Sequence, residues 1–209
     1  MNILIVDDHA IVRTGLRQII AEEDPGISVM EAGDATETMR TLREQKVDLV
    51  TLDINLPGKN GIELLKQIKS EFRTMPVLIL SMHSEDQYAI RAIKNGASGY
   101  LTKDSAPDLL LTAIQKVLSG GRFITPELAE KLVNAIDKDS DSPAHDVLSD
   151  REFEVLRHIA EGKGVSEIGE ILHLSTKTIS TYRSRLLQKM GLKNNSEIIH
   201  YALKNGIIN

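Results

Sequence analysis

Acidic side chains follow two short apolar runs in the first third of the chain. Asp7 and Asp8 come directly after residues 3–6, and Asp53 closes the run 49–53. The carboxyl ends of neighbouring parallel strands meet at one edge of a sheet, so the three carboxylates are expected to converge. Clustered carboxylates repel one another and suit a hard divalent cation such as Mg²⁺. Asp8, Asp53 and a backbone carbonyl just after Asp53 are its expected ligands.

Two more polar residues stand at the ends of later apolar runs. Ser81 ends the fourth run and can donate a hydrogen bond to a phosphoryl oxygen, while Lys103 follows the fifth and supplies a positive charge. A carboxylate nucleophile, a metal ion and a lysine are the groups that phosphoryl transfer to an aspartate requires. The pattern therefore indicates a site that positions a phosphoryl group and neutralises its charge.

Each of these residues also has a simpler interpretation when it is taken alone. Asp7 or Asp8 could cap the first helix, because Asp is favoured at that position. Asp53 could be a loop carboxylate, Ser81 a turn cap and Lys103 a surface charge. Five matching residue types at five consistent places favour the joint interpretation over these separate ones.

The elements that must position these residues alternate along the first 120 residues. Compact apolar runs, typical of strands buried on both faces of a parallel sheet, alternate with amphipathic segments. The predicted strands are residues 3–6, 28–32, 49–53, 77–81 and 99–101, and the predicted helices are residues 10–21, 35–44, 60–71, 86–95 and 106–119. Five β-α repeats predict an α/β domain over residues 1–122, with a doubly wound, five-stranded parallel sheet.

The rest of the chain has a different pattern. Residues 123–146 are predicted to be a linker with a short helix, which Thr125 caps and Pro126 opens. Within it, residues 138–146 are polar, acidic and without periodicity. Residues 147–209 have only helical periodicity, which predicts a small all-α domain with a helix-turn-helix rhythm. The N-caps predicted for three of its helices are Ser149, Ser175 and Ser196.

Composition limits the function classes. The 209 residues include no cysteine, which excludes disulfides, thiolate zinc sites and cysteine nucleophiles. No apolar stretch approaches the ~20 residues of a membrane span, and the first apolar run is too short for a signal peptide. We therefore expect a cytoplasmic protein without a membrane partner. The net charge is −3 over residues 1–122, −4 over 123–146 and +2 over 147–209, a weak indication of nucleic-acid binding at the C-terminal end.

The helix predicted over residues 176–190 has two contrasting faces. Ile179, Leu186 and Met190 form one apolar stripe, which is expected to face the core. The opposite face holds polar and basic residues: Lys177, Ser180, Thr181, Ser184, Arg185 and Gln188. Short polar side chains flanked by Arg and Lys suit a helix in the DNA major groove. A bundle helix with a solvated basic face is the alternative.

Residues 1–122 resemble the receiver domains of response regulators. The resemblance lies in LIVDD (4–8), TLDINLPGKNG (51–61), LS (80–81) and GASGYLTK (96–103). It implies that Asp53 is the phospho-acceptor and that Asp7 and Asp8 are acidic-pocket residues. It also implies that the Asn55 backbone is a metal ligand. It also implies Ser81 and Tyr100 as switch residues, whereas a half-buried Tyr100 with its hydroxyl in water is the simpler interpretation. In many receivers a cis proline comes directly after the lysine that corresponds to Lys103, and in this chain Asp104 stands there.

Residues 148–162 and 165–194 are similar to the LuxR-type helix-turn-helix of NarL/FixJ regulators. The segments are LSDREFEVLRHIAEG and VSEIGEILHLSTKTISTYRSRLLQKMGLKN, and they depart from the commonest pattern at Ser180 and Tyr182. The two resemblances together imply a transcription factor that a histidine kinase phosphorylates. Double-stranded DNA is its expected target, RNA polymerase is a further candidate partner, and a homodimer is the expected phosphorylated state.

Two other functions compete with this one. A receiver whose helical domain binds RNA or a protein is disfavoured, because aromatic residues are 3% of the chain and Trp is absent. A free-standing phosphatase or phosphotransferase ranks last, since no water-activating base or nucleotide-binding loop is present, and we expect no enzyme.

The last helix carries an apolar stripe, Ile198, Ile199, Ala202 and Leu203, which could form either a dimer contact or the domain core.

Overall fold

The computed structural model describes residues 1–82, 87–137 and 143–208. The chain forms two compact units, Met1–Asn134 and Ala135–Asn209. Of the predicted acidic linker, residues 138–142 lie outside the described residues, and the predicted domain boundaries at 122 and 146 stay predictions. Among the described helices none has the length and apolar character that crossing a membrane would need.

The first unit is a five-stranded parallel sheet with helices, which confirms the predicted fold class. The strand order is β2-β1-β3-β4-β5. The strands are β1 (Asn2–Val6), β2 (Ser28–Ala32), β3 (Leu49–Asp53), β4 (Val77–Ser81) and β5 (Gly99–Thr102). The helices are α1 (Ala10–Glu23), α2 (Ala35–Glu44), α3 (Gly61–Glu71), α4 (Gln87–Lys94) and α5 (Ala106–Leu118). A further helix, α6 (Pro126–Asp137), contains the boundary between the two units.

The sheet order brings the polar strand ends together. All five residues of β3 and of β4 are buried, as expected for central strands covered on both faces. In register, Val6 pairs with Leu52 and Asp53 with Leu80. Ser81 pairs with Thr102 across β4 and β5. The residues that end β1, β3, β4 and β5 therefore lie side by side along one edge of the sheet.

The turn after β3 returns the chain against its own strand. The side chain of Asn60 caps α3 by accepting a hydrogen bond from the Ile62 backbone N–H at 2.7 Å. Gly61, the first residue of α3, donates its backbone N–H to the Ile54 carbonyl at 2.8 Å. A Cβ atom on Gly61 would stand 2.2 Å from the Asp53 carbonyl oxygen and 2.6 Å from the Ile54 Cα. Only glycine leaves room for this close approach.

The second unit contains a short 3-10 helix, Ala144–Val147, followed by four α-helices. These are α7 (Asp150–Ala160), α8 (Val165–Ile171), α9 (Thr176–Met190) and α10 (Asn195–Lys204). Ser149 and Ser175 cap α7 and α9 as predicted, and Ser149 forms a capping box with Glu152. Gly191 ends α9 in the left-handed conformation, with φ of 67°.

The predicted cap of the last helix was wrong. Ser196 lies inside α10, and the N-cap is Asn194, whose side chain accepts a hydrogen bond from the Glu197 backbone N–H at 3.0 Å. Asn is as good a cap as Ser, and Glu197 also accepts a hydrogen bond from the Lys193 backbone N–H at 2.8 Å. With these two bonds the helix starts two residues earlier than the sequence indicated.

The apolar stripe of α10 divides between the two interpretations. Ile198 and Ala202 are fully buried, so they belong to the core of the second unit. Ile199 is half-buried, and Leu203 is 53% exposed. Core packing therefore accounts for one half of the stripe, and only the other half is left for a contact outside the unit.

The close approach at Gly61 gives a direct test of the fold. Gly61→Ala should lower the free energy of unfolding by about 1–3 kcal/mol, because the new methyl group meets rigid backbone atoms of β3 and the turn after it. Gly15→Ala, in the interior of α1 where a Cβ meets nothing within 4 Å, is the matched control. It should raise stability by about 0.5–1 kcal/mol through helix propensity. Urea unfolding followed by circular dichroism measures both, and equal stabilities would contradict the packing.

Candidate metal centre and nucleic-acid interface

One lysine holds two carboxylates at the edge of the sheet. The Lys103 Nζ lies 2.6 Å from Asp7 Oδ2 and 2.7 Å from Asp53 Oδ2. The Lys103 backbone N–H donates to the Ser81 carbonyl at 2.8 Å, which fixes the lysine to the end of β4. Both carboxylate side chains are almost fully buried, with 2% and 1% exposure. The structure thus brings Asp7, Asp53, Ser81 and Lys103 to one place.

The Asp8 carboxylate lies close to Asp7 and Asp53. The His9 Nδ1 lies 2.7 Å from Asp8 Oδ1 and 3.3 Å from Asp7 Oδ1. One ligand atom from each of Asp7, Asp8, His9 and Asp53 lies within 4.8 Å of the others. His9 is a residue that sequence reasoning missed, although it directly follows the two aspartates and so could have been included.

These donors fit a divalent cation. Asp7 Oδ2 and Asp8 Oδ1 are buried oxygens with no hydrogen bond of good geometry among the described residues. The Lys103 Nζ, 2.6 Å from Asp7 Oδ2, forms an ion pair with this oxygen. Clustered buried carboxylates are costly, and a hard cation that prefers oxygen ligands would neutralise their charge.

The surroundings shift the pKa of the central groups. Burial raises the pKa of Asp53 from 3.8 to about 6; Lys103 opposes the rise, and the Asp7 carboxylate adds to it. Burial lowers the pKa of Lys103, but the attraction of Asp53 and Asp7 outweighs this effect and leaves that pKa raised. Lys103 is therefore a permanent cation, while Asp53 carries its negative charge at a cost.

The other predicted receiver residues lie at the same edge or beside it. The Asn55 backbone N–H donates to Asp53 Oδ1 at 3.2 Å, so the turn after β3 holds the carboxylate. Ser81 is fully buried at the end of β4. Tyr100, in β5, is also fully buried. This differs from the simpler of the two interpretations, in which the ring is half-buried and the hydroxyl lies in water. The peptide bond between Lys103 and Asp104 is trans, since no described peptide is cis.

Helix α9 of the second unit presents the polar face that the sequence predicted. Ile179 and Leu186 are fully buried, and Met190 is half-buried, so the apolar stripe faces the core. Lys177, Ser180, Thr181, Ser184 and Arg185 are all exposed. The structure thus groups the five residues on the solvent side of one helix, which begins at the Ser175 cap.

Two hydroxyl groups on the exposed face of α9 donate hydrogen bonds within the helix. Thr181 Oγ1 donates to the Lys177 carbonyl at 2.9 Å, and Ser184 Oγ donates to the Ser180 carbonyl at 3.0 Å. A hydroxyl that donates within its own helix still offers lone pairs outward. Both groups can therefore accept hydrogen bonds from amino groups at base edges without leaving the helix.

Two basic residues of the helix are used inside the unit. The Arg183 Nε donates to Asn195 Oδ1 at 2.7 Å, at the start of α10. The Lys189 Nζ lies 2.6 Å from Glu152 Oε2, in the capping box of α7. Lys177 and Arg185 have no ion-pair partner within the part of the chain that the structure describes. Of the four cations, Lys177 and Arg185 remain available for an external anion.

Both halves of the chain match known protein families. Residues 3–115 match the family described as response regulator receiver domain. Residues 146–202 match the family described as bacterial regulatory proteins, luxR family.

Two relatives are similar along the whole of this chain. The response regulator UvrY of Escherichia coli (strain K12) is 34% identical over 211 residues, which cover 100% of this chain and 96% of UvrY. The oxygen regulatory protein NreC of Staphylococcus carnosus (strain TM300) is 34% identical over 215 residues, covering 100% of this chain and 99% of NreC.

Solved structures add a likeness in three dimensions. RcsB from Salmonella enterica serovar Typhimurium, bound to promoter rprA in the presence of phosphomimetic BeF3⁻, has a TM-score of 0.64. It is 30% identical, and the match covers 96% of this chain and 98% of that one. A second structure, of the RcsB–DNA complex, has a TM-score of 0.60 at 31% identity, with 96% of both chains covered.

The raised pKa of Asp53 predicts how stability depends on pH. Between pH 3.8 and about 6 the folded protein keeps a proton that the unfolded chain has lost, so stability falls as pH rises through this window. Without divalent cations, Asp53→Asn should therefore be more stable than the wild type at pH 7.5, by about 1–3 kcal/mol. Near pH 4 the two should be equal.

Urea unfolding in EDTA at both pH values measures this difference. Asp108→Asn, at an exposed position of α5, is the control and should change stability by less than about 0.5 kcal/mol. A wild type that is as stable as the Asp53 variant at pH 7.5 would show that the carboxylate carries its charge there without strain.

Proposed function

Because the chain belongs to the NarL/FixJ-type response regulators, which join a receiver domain to a LuxR-type DNA-binding domain, we propose that phosphorylation of Asp53 controls its binding to duplex DNA. Members of this family are transcription regulators and not enzymes. The observation that carries the proposal is the convergence of Asp7, Asp8 and Asp53 around one lysine, with the Lys103 Nζ 2.7 Å from Asp53.

The phosphoryl donor is the phosphohistidine of a partner histidine kinase, as the receiver domain implies. An Asp53 carboxylate oxygen forms the new bond to phosphorus while the bond from phosphorus to the imidazole nitrogen breaks, and the imidazole leaves. Asp8, Asp53 and the Asn55 backbone carbonyl, beside Asp7, would hold Mg²⁺, which would supply positive charge to the phosphoryl oxygens. The reaction would depend on magnesium, and the cytoplasm is its proposed setting.

Lys103 is the group that responds to the new charge. It contacts both Asp7 and Asp53 before phosphorylation, and a phosphoryl group on Asp53 would offer it a more highly charged partner. Ser81, buried next to the lysine backbone, can donate its hydroxyl to a phosphoryl oxygen. Tyr100 lies in the neighbouring strand, and its burial makes any movement of its ring a change in packing.

Duplex DNA is the target that the second unit favours. RcsB, which is similar along 96% of this chain, has been solved bound to promoter DNA. The exposed face of α9 would enter the major groove, with Lys177, Ser180, Thr181, Ser184 and Arg185 toward the DNA. Thr181 and Ser184 would meet base edges, and Arg185 would meet phosphates.

Three further elements complete the proposal. Phosphorylation favours a homodimer, because helix-turn-helix units bind paired half-sites, and the exposed Leu203 of α10 is a candidate contact. The unphosphorylated receiver hinders DNA binding, so the fragment 147–209 should bind duplex at least as well as the intact unphosphorylated protein. RNA polymerase would be the partner through which the bound dimer changes transcription.

Phosphorylation on Asp53 is tested by mass. With acetyl phosphate and Mg²⁺, the intact protein should gain one phosphoryl group, and Asp53→Asn or EDTA should abolish the gain, because the nucleophile or its cation is lost. Asp108→Asn is the matched control and should react like the wild type.

Light scattering in the presence of beryllofluoride, a phosphoryl mimic, then measures whether the protein forms a dimer. A phosphoryl gain in Asp53→Asn, or a monomer under all conditions including on DNA, would contradict the proposal.

Sequence reading by α9 is tested with a series of duplex sites at several salt concentrations. Thr181→Ala and Ser184→Ala should each cost about 1–3 kcal/mol and relax preference at one or two base pairs, because base-edge contacts are lost. Arg185→Ala should weaken all duplexes alike and flatten the salt dependence by about one unit. Lys204→Ala, at an exposed position of α10, is the basic control. Unchanged base preference in both hydroxyl variants would show that another face reads the DNA.

A further inference from the structure

One arginine outside the acidic cluster holds the backbone of the loop that carries it. The Arg13 Nη1, in the first turns of α1, donates to the Asp7 carbonyl oxygen at 2.6 Å. Its Nε donates to Glu31 Oε2 at 3.0 Å, and Glu31 belongs to the neighbouring strand β2. The Arg13 side chain is only 18% exposed. The guanidinium thus links β2 to the peptide between Asp7 and Asp8.

The Asp7 residue is fixed from two sides. Its backbone N–H donates to the Ala32 carbonyl at 3.2 Å, and its carbonyl accepts from Arg13. Its side-chain Oδ1 in turn accepts from the His9 backbone N–H at 2.8 Å. The orientation of the Asp7–Asp8 peptide decides where both carboxylates point, so a donor on its carbonyl acts on the position of both.

We propose that Arg13 is a positioning residue for the divalent-cation site, acting through the Asp7 carbonyl and held in place by Glu31. The inference rests on the proposed function, in which Asp7 and Asp8 surround the cation. Partners of this kind, which touch a ligand residue and not the ion, set the ligand geometry, and their loss weakens metal binding by about 10–100-fold. Neither the motif around the aspartates nor the family resemblance assigns this role to Arg13.

The sign of the effect separates positioning from simple electrostatics. A cation near the site repels another cation, so removal of the Arg13 charge alone should tighten metal binding. Positioning predicts the opposite change, because the carboxylates lose their alignment. Arg17 offers a matched control on the same helix, since its Nε lies 3.6 Å from Glu31 Oε1 while no contact with Asp7 is present among the described residues.

The experiment measures Mn²⁺ binding to the full chain by electron paramagnetic resonance of the free ion. Mn²⁺ serves as the probe because it takes the same oxygen ligands as Mg²⁺. Arg13→Gln should weaken binding about tenfold. Arg13→Lys, which keeps the charge and loses the two-pronged geometry, should weaken binding in the same direction. Arg17→Gln should stay within about twofold of the wild type or bind more tightly.

A second readout needs no metal. The carbonyl ¹³C chemical shift of Asp7 in the metal-free protein should move in both Arg13 variants and stay in place in Arg17→Gln, since it reports the hydrogen bond that this carbonyl accepts. Binding by both Arg13 variants that equals or exceeds that of Arg17→Gln overturns the proposal. If Arg13→Gln does not fold, Arg13→Lys decides. A wild type that binds no Mn²⁺ overturns the proposed metal site itself, which is a distinct result.

Discussion

The receiver unit is organised around the mutual repulsion of carboxylates that its own sheet brings together. Asp7 and Asp53 are nearly fully buried and share a single close cation, Lys103. Burial holds the pKa of Asp53 at about 6, so charging this group near neutral pH costs stability. A site in this condition responds strongly to any added charge. In the proposed function, a divalent cation would relieve the repulsion and a phosphoryl group on Asp53 would attract the lysine.

The topology of the sheet makes this convergence unavoidable. With β1 beside β3, β3 beside β4 and β4 beside β5, the four polar strand ends have to be neighbours. The turn after β3 is then compressed against the strand, and glycine at position 61 is required because the Asp53 carbonyl lies 2.2 Å from where a Cβ would be. The stability of the turn and the position of the carboxylate are therefore set by the same packing.

Much of this could be predicted from sequence, because buried strands and strand ends leave local patterns. The bounds of β2, β3 and β4 equal those of the predicted strands, and the two central strands β3 and β4 each end on a polar residue, Asp53 and Ser81. The N-cap of α10 could not be settled in this way, because Asn194 and Ser196 are both good caps. The structure decides for Asn194, whose side chain accepts from the Glu197 backbone N–H, while the Glu197 side chain accepts from the Lys193 backbone N–H. The link from Arg13 to Asp7 joins α1 to the loop after β1, and no periodicity reports such a tertiary contact.

The basic residues of α9 show the same limit of sequence reasoning and have a consequence for binding. Five basic residues and no acidic one lie between positions 175 and 193, which suggests a strongly cationic surface. Arg183 is bound to Asn195 and Lys189 to Glu152, so part of this charge holds the helices of the unit together. Affinity for DNA grows with the number of phosphates that are neutralised. Fewer available cations mean fewer neutralised phosphates for one unit, and two units on paired half-sites would double the number of phosphate contacts. In a protein built this way, a receiver that controls pairing also controls affinity.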